Sequence, residues 1–167
     1  MKVNLDTERL EIRPIVLNDA EFFHKLVNTK GWLEYIGERH LSNKQDAENF
    51  IQNILNTERL NYHVFGLKEI ERPIGIITFL KRKDEVYPDF GYAMLPDFGG
   101  QGLAFEACSA YLEKIRDAGE YEKVLAITKP SNEASIKLLK KLGFMYKGDF
   151  TREGSDISYY SINGRFS

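Results

Sequence analysis

From Thr7 to Ile15 apolar and polar residues alternate, with Leu10 and Ile12 set against Arg9, Glu11 and Arg13. A period of two predicts a half-buried strand ending near Pro14. The period then lengthens. Asn18-Asp19-Ala20-Glu21 offers an N-cap with an acidic residue three positions on, and Phe22, Phe23, Leu26 and Val27 form a helical stripe to about Thr29. Ser42-Asn43-Lys44-Gln45 repeats the capping pattern ahead of Ala47, Phe50, Ile51, Ile54 and Leu55, which predicts a second amphipathic helix to about Thr57. The aromatic connector between them, Gly31 to Gly37, reads as a short helical turn closing the core.

Tyr62 to Lys68 and Pro73 to Lys83 are β-branched and aromatic runs around a polar tetrapeptide, the pattern of an antiparallel hairpin. Val86 to Leu95 predicts a third consecutive strand, stopped at Pro96 because proline cannot donate to a ladder. A long helix follows from about Gln101 to Ala118, with Leu103, Ala107, Cys108, Tyr111, Leu112 and Ile115 on its apolar face. Lys123 to Thr128 is a strand, Ser131 to Leu142 a helix ended by Gly143, and Phe144 to Phe150 and Ser158 to Ile162 are closing strands. The order βααβββαβαββ, with about seven strands, implies an α/β or α+β fold: a mixed sheet with helices on both faces.

The 167 residues, 43% apolar and 29% charged, suit one domain spanning residues 1–167. A net charge of −2 gives no bulk attraction to nucleic acid or an anionic membrane, although local basic patches stay open. No apolar run approaches the roughly 20 residues of a membrane-spanning helix. Met1 to Asp6 shows no secretory signal, so a cytoplasmic location is expected. Cys108 is the single cysteine, which excludes an internal disulfide, and its place on a helical apolar stripe reads as packing. His24, His40 and His63 lack metal-ligand spacing, so no metal is expected.

The chemistry concentrates in Met94 to Ala104, a strand end, a glycine-rich turn and a helix start. Gly99, Gly100 and Gly102 let backbone N–H groups converge beside the positive end of a helix dipole. Such a unit serves as an anion cradle or as steric punctuation. It lacks the Gly-Lys-Ser/Thr of a triphosphate-binding loop and sits mid-chain, outside the first βαβ of a dinucleotide fold.

Gly99-Gly100-Gln101-Gly102-Leu103-Ala104 resembles the Arg/Gln-x-x-Gly-x-Gly/Ala motif of the GNAT acyl-CoA-dependent N-acetyltransferases, with Gly102 and Ala104 at its fourth and sixth positions. Gly91 to Pro96, Glu106-Ala107, Asn132 to Ser135, Lys141 to Phe144, and the opening Thr7-Glu8-Arg9-Leu10 with Arg13-Pro14 are similar to the RimJ/RimL-like branch, which acetylates ribosomal-protein N-termini. The resemblance covers residues 7–162. It implies a GNAT-like, mostly antiparallel sheet and transfer of acetyl from acetyl-CoA to a primary amine, such as a protein N-terminal α-amine, by direct attack. A non-catalytic acyl-CoA-binding module and acetylation of a small amine (a polyamine, aminoglycoside or amino-acid analogue) are the alternatives. A monomer or a homodimer through the last strands is compatible with either.

By the same resemblance the amides of Gly99, Gly100, Gln101, Gly102, Leu103 and Ala104 would hold the cofactor pyrophosphate. The backbone of Met94 and Leu95 would bind the pantetheine arm, with the Met94 amide at the oxyanion and Asn132 on the pantetheine. Asp89 is the candidate base through water, with Tyr92 beside it on the strand but on the alternate pleat face. Ser135 is the candidate partner of the leaving sulfur, against the plain alternative of a helical serine bonding its own backbone. The sequence departs from the family at Leu139, where many members carry a tyrosine acid, and at Gly99, where a larger side chain is usual. Trp32 and Tyr35 divide between core and acceptor groove, as do Tyr159 and Tyr160. Lys137, Lys140 and Lys141 read as a solvated face within reach of a cofactor phosphate. An acidic groove built from Glu34, Glu38 and Asp84 would favour cationic acceptors.

Overall fold

The computed structural model describes residues 1–164. Its elements are β1 Leu5–Asp6, β2 Leu10–Pro14, α1 Ala20–Val27, α2 Lys30–Tyr35, α3 Lys44–Leu55, β3 Leu60–Leu67, β4 Arg72–Leu80, β5 Asp89–Met94, α4 Leu103–Ala118, β6 Lys123–Thr128, α5 Glu133–Lys141, β7 Met145–Arg152 and β8 Ser155–Asn163. Short 3₁₀ turns at Leu17–Asp19 and Pro96–Phe98 lead into α1 and the glycine turn. The strands form one eight-stranded sheet ordered β1-β2-β3-β4-β5-β6-β8-β7. Every pair is antiparallel except β5 with β6, which α4 connects.

Two apolar layers flank the sheet. On one face, α1, α2 and α3 bury Phe23, Leu26, Trp32, Ile51 and Ile54 against Val64, Ile76 and Leu95. On the other, α4 and α5 bury Leu103, Tyr111, Ile115 and Leu139 against Phe79, Phe90, Val124 and Tyr160. Helices therefore cover both faces, as the periodicity requires.

The differences from the sequence reading have local causes. The eighth strand is β1, two residues long, and its signal is too short to register as periodicity. Thr7 to Arg9 form the turn after it: the Thr7 amide bonds the Leu10 carbonyl at 2.8 Å, so β2 begins later than alternation suggested. The aromatic connector winds into α2 because Thr29 caps it, its hydroxyl accepting from the Trp32 amide at 3.4 Å. Asp19 does not act as a simple cap. Its carboxylate is buried, takes two 2.8 Å bonds from the Arg13 guanidinium, and accepts from the Val16 amide at 2.9 Å. In the second capping pattern Asn43 takes the cap, accepting from the Asp46 amide at 2.8 Å, while the Asp46 carboxylate accepts from the Ser42 amide at 2.9 Å.

Candidate active site

β5 pairs with β4 along its length and with β6 almost nowhere. The Leu95 amide donates to the Ile74 carbonyl at 2.8 Å, and the register runs on through Ile76↔Ala93 and Thr78↔Gly91. Hydrogen-bonded residues alternate along an antiparallel ladder, so Ala93 and Leu95 face β4 while Tyr92 and Met94 turn their N–H and C=O groups toward β6. The register of β5 with β6 contains the single pair Asp89↔Leu125, supported by a 2.9 Å bond from the Leu125 amide to the Pro88 carbonyl. Beyond it the parallel strands part. Among the described residues neither Tyr92 nor Met94 has a partner on the β6 side, and the sheet is open there like the slot for one more strand. Leu95, expected beside Met94, spends its amide on β4.

The slot leads to the glycine turn. Gly100 and Gly102 take φ of +75° and +74°, the left-handed region where a Cβ is strained. A Cβ at Gly100 would meet nothing within 4 Å, so backbone conformation and the open space above it, not crowding, account for that glycine. Gly99 has an ordinary φ of −67°. Gly102 is the N-cap of α4 and supplies no side-chain acceptor, whereas Thr29, Asn43 and Asn132 cap α2, α3 and α5. The first amides of α4, from Leu103 onward, are thereby left for an external anion. Arg9 lies alongside, donating at 2.9 Å to the Gln101 carbonyl. A cavity of about 490 Å³ borders this turn, walled by Arg9, Gly102, Phe105 and Glu106. Lys141 lies over the Phe105 ring at 4.1 Å, and Lys137 and Lys140 are exposed.

At the other side of the slot, the Asn132 side-chain oxygen accepts from the Ser135 amide at 3.2 Å. Ser135 meets Tyr92. Burial pushes the Tyr92 phenol up to about 12, with the neighbouring Cys108 thiol adding to the rise and a hydrogen bond with Ser135 opposing it. The hydroxyl of Ser135 thus lies close enough to the Tyr92 phenol to act on it. Leu139, one turn on, is buried in the core and offers no proton. Cys108 is fully buried, and burial pushes its thiol up.

Asp89 sits on the opposite pleat face from Tyr92, so the two do not meet. Its carboxylate is buried, and Arg82 bonds one oxygen, Oδ2, from Nη2 at 3.0 Å and Nε at 3.2 Å. Burial raises the Asp89 carboxyl, while the charges of Arg82 and Arg152 pull it down and Glu85 pushes it up. Tyr62, on the same face, is raised by burial and lowered by Arg39 and Arg82. Trp32 is buried edge-on to Phe23 at 6.3 Å, with the Arg39 guanidinium 5.7 Å above its ring. Tyr35 is half-buried, and Lys129, just past β6, donates to the Glu34 carbonyl at 2.9 Å, tying α2 to the edge of the slot. Tyr160 enters the core and Tyr159 stays half-buried, as the pleat demands. Arg39, Tyr62, Arg82 and Arg152 were not among the site residues expected from the sequence. Only Arg82 carried a signal, the Lys81-Arg82-Lys83 run, which has the look of a solvated turn.

A GNAT acetyltransferase domain model matches residues 9–145, most of the chain and all of the slot and turn. The chain belongs to the GNAT acetyltransferase family. This GNAT chain is 26% identical over 166 residues to the uncharacterized N-acetyltransferase YnaD of Bacillus subtilis, covering 96% of each. In fold it is similar to the ribosomal-protein-S5-alanine acetyltransferase of Vibrio fischeri, with a TM-score of 0.82, 19% identity and 97% of both chains covered. It is similar also to the spermidine N-acetyltransferase of Vibrio cholerae in complex with CoA and spermine, with a TM-score of 0.80, 18% identity and coverage of 95% of this chain and 97% of that one. Membership makes this GNAT protein an acetyl-CoA-dependent acetyltransferase. No helix among its described residues is long and apolar enough to cross a membrane.

Proposed function

We propose that this enzyme transfers the acetyl group of acetyl-CoA to a primary amine, with an N-terminal α-amine as the acceptor, by direct attack within a ternary complex. The observation that carries the reading is the slot. Unpaired backbone groups of Tyr92 and Met94 would otherwise be costly to leave open, and an extended amide-bearing chain such as pantetheine satisfies them as an added strand. The glycine turn and the uncapped start of α4 fit the pyrophosphate at one end of that arm. The thioester then lies inside the slot, where the Met94 amide stabilises the oxyanion.

The amine nitrogen attacks the thioester carbonyl, a C–N bond forms, and the C–S bond breaks as the oxyanion collapses. The departing sulfur takes a proton, and the new ammonium loses one. Ser135 and Tyr92 supply a protonated hydroxyl pair at the sulfur, occupying the role that Leu139 cannot. Asp89 receives the amine proton through water on its Oδ1 side. An α-amine titrates near 7.7 to 8.0, so a modest base suffices, whereas a lysine near 10.4 would need more help.

Thermal unfolding with acetyl-CoA, CoA and ATP tests the cofactor. At about a hundredfold over Kd a ligand adds roughly 2.7 kcal/mol, a rise of several degrees in Tm. A rise with both CoA compounds and none with ATP is expected, and Gly100→Ala should remove most of it by filling the space over the turn. Thiol release on addition of peptide amines then tests turnover. Cofactor binding without release for any amine would leave a binding module in place of an enzyme, and an absent CoA shift in folded protein would withdraw the cofactor assignment.

A further inference from the structure

Resting on that reading, the charge on the acceptor side narrows the substrate class. Leu60 and its cross-strand partner Leu80 form the floor of a cavity of about 540 Å³, closed at one side by the tip of the β7–β8 hairpin, and Asp89 is the next residue across the sheet, opposite Leu80. Arg59, Lys81, Arg82, Lys83 and Arg152 line it together with Asp84, Glu85 and Glu153, five cations to three carboxylates. Among the described residues, Arg59, Lys81, Lys83 and Arg152 have no carboxylate within ion-pair distance. Deeper in, Arg82 and Arg152 both act on Asp89, and Arg39 joins Arg82 around Tyr62. This cationic excess sits in a chain whose net charge is −2, so it is a local arrangement and not a reflection of composition. Asp84, one of the residues considered for an acidic groove, lines this cavity but is outnumbered.

We propose that the acceptor is an amine whose own molecule carries carboxylates, held by Arg82, Arg152 and their neighbouring cations while the amine reaches into the slot. A guanidinium matches a carboxylate in a planar, bidentate geometry that an ammonium cannot offer. Asp89 and Tyr92 are three residue steps apart along the strand, about 10 Å, and an extended peptide covers that distance in about three residues. An N-terminus followed by acidic residues at its second to fourth positions therefore fits the spacing. A polyamine would bring ammonium groups against arginines at the same place, which is repulsive.

Binding separates this selectivity from turnover. C-terminally labelled peptides Ser-Glu-Asp-Glu and Ser-Lys-Arg-Lys are titrated by fluorescence anisotropy into the CoA-saturated protein, with unlabelled glutamate and spermidine as competitors. The acidic peptide should bind at least tenfold tighter and lose affinity as salt rises. Competition by glutamate at comparable concentration would place the carboxylate source in a free amino acid, and weak competition would place it in a polypeptide; either supports the anionic class. Reversing two lining charges remote from the chemistry, Arg59→Glu with Lys83→Glu, should weaken the acidic peptide by about tenfold while the acetyl-CoA thermal shift is unchanged. Equal or tighter binding of the basic peptide, displacement by spermidine, binding of neither peptide, or indifference to the charge reversal overturns the proposal. A failure of every amine to release thiol, with the binding order intact, would instead fault the catalytic reading.

Discussion

His63 shows how much a single buried side chain can dictate. Its Nε2 accepts from the Val3 amide at 3.0 Å, so a neutral ring carries its proton on Nδ1, which lies 3.3 Å from the Tyr111 hydroxyl. Burial, aided by the N-terminal ammonium, pushes its pKa down from 6.5 to about 4. The folded state thus holds the ring neutral where the unfolded chain would protonate it. The stabilisation is complete above the unfolded pKa and is lost as pH falls through the folded one, a span worth about 3 kcal/mol. Urea unfolding should accordingly show stability declining from about pH 6.5 to about pH 4, and His63→Gln, which keeps an acceptor but does not titrate, should flatten that slope. Tyr92 and Ser135 make the second case. With its pKa pushed up to about 12, Tyr92 stays protonated in any ordinary assay, so Tyr92→Phe should lower kcat by roughly ten- to a hundredfold without erasing a limb of the pH profile. If the two hydroxyls act as one donor, the double variant with Ser135→Ala should be little worse than the poorer single variant. Both residues stood out in the sequence. Their pairing did not, because it depends on how closely the start of α5 approaches β5.

Elements are held in place by polar clamps that periodicity does not reveal. Glu106, in the first turn of α4, accepts from the Thr7 hydroxyl at 2.6 Å, the Arg9 amide at 2.9 Å and the Arg9 Nε at 2.7 Å. Burial would raise its carboxyl, but the hydrogen bonds from Thr7 and Arg9 and the charge of Arg9 hold it below the usual range. The clamp fixes the β1–β2 turn against the glycine turn. Glu106→Gln should cost about 1–2 kcal/mol in chemical unfolding. Because Arg9 is released from beside Gln101, it should also shrink the acetyl-CoA thermal shift. Asp19 does the equivalent work at α1, and its loss leaves the half-buried Arg13 without its carboxylate: Asp19→Asn should destabilise by roughly 2–3 kcal/mol by the same measurement. The helices and most strands were legible because each buries one face at a regular period. Their ends were not, since Asp19 and Asp46 answer to tertiary partners or neighbouring amides rather than to the capping pattern they resemble.

For the whole molecule, element order and the glycine turn sufficed to indicate the sheet and the end of it that matters. The parting of β5 from β6 is invisible in the sequence, because both strands are equally apolar and strand-like on their own. It is a property of register, set by the helices that each strand packs against. The cationic cavity was illegible for a related reason: Arg59 precedes β3, Lys81 to Lys83 follow β4 and Arg152 ends β7, and they converge only in three dimensions. Hydrogen exchange gives the whole-molecule test of the slot. Saturating CoA should slow the Tyr92 and Met94 amides strongly and leave Ala93 and Leu95, already bonded to β4, nearly unchanged.

Among the described residues, Asp89 with Leu125 is the one registered strand pair between the ladder of β1 to β5 and the ladder of β6, β8 and β7. The two halves resemble book covers bound at one corner, and whatever lies between them serves as the missing spine. On the proposed function, each catalytic cycle would include an assembly and a disassembly of the protein's own architecture, the coenzyme serving as a strand that comes and goes. A substitution that brought the covers together would give a sturdier protein with no entrance.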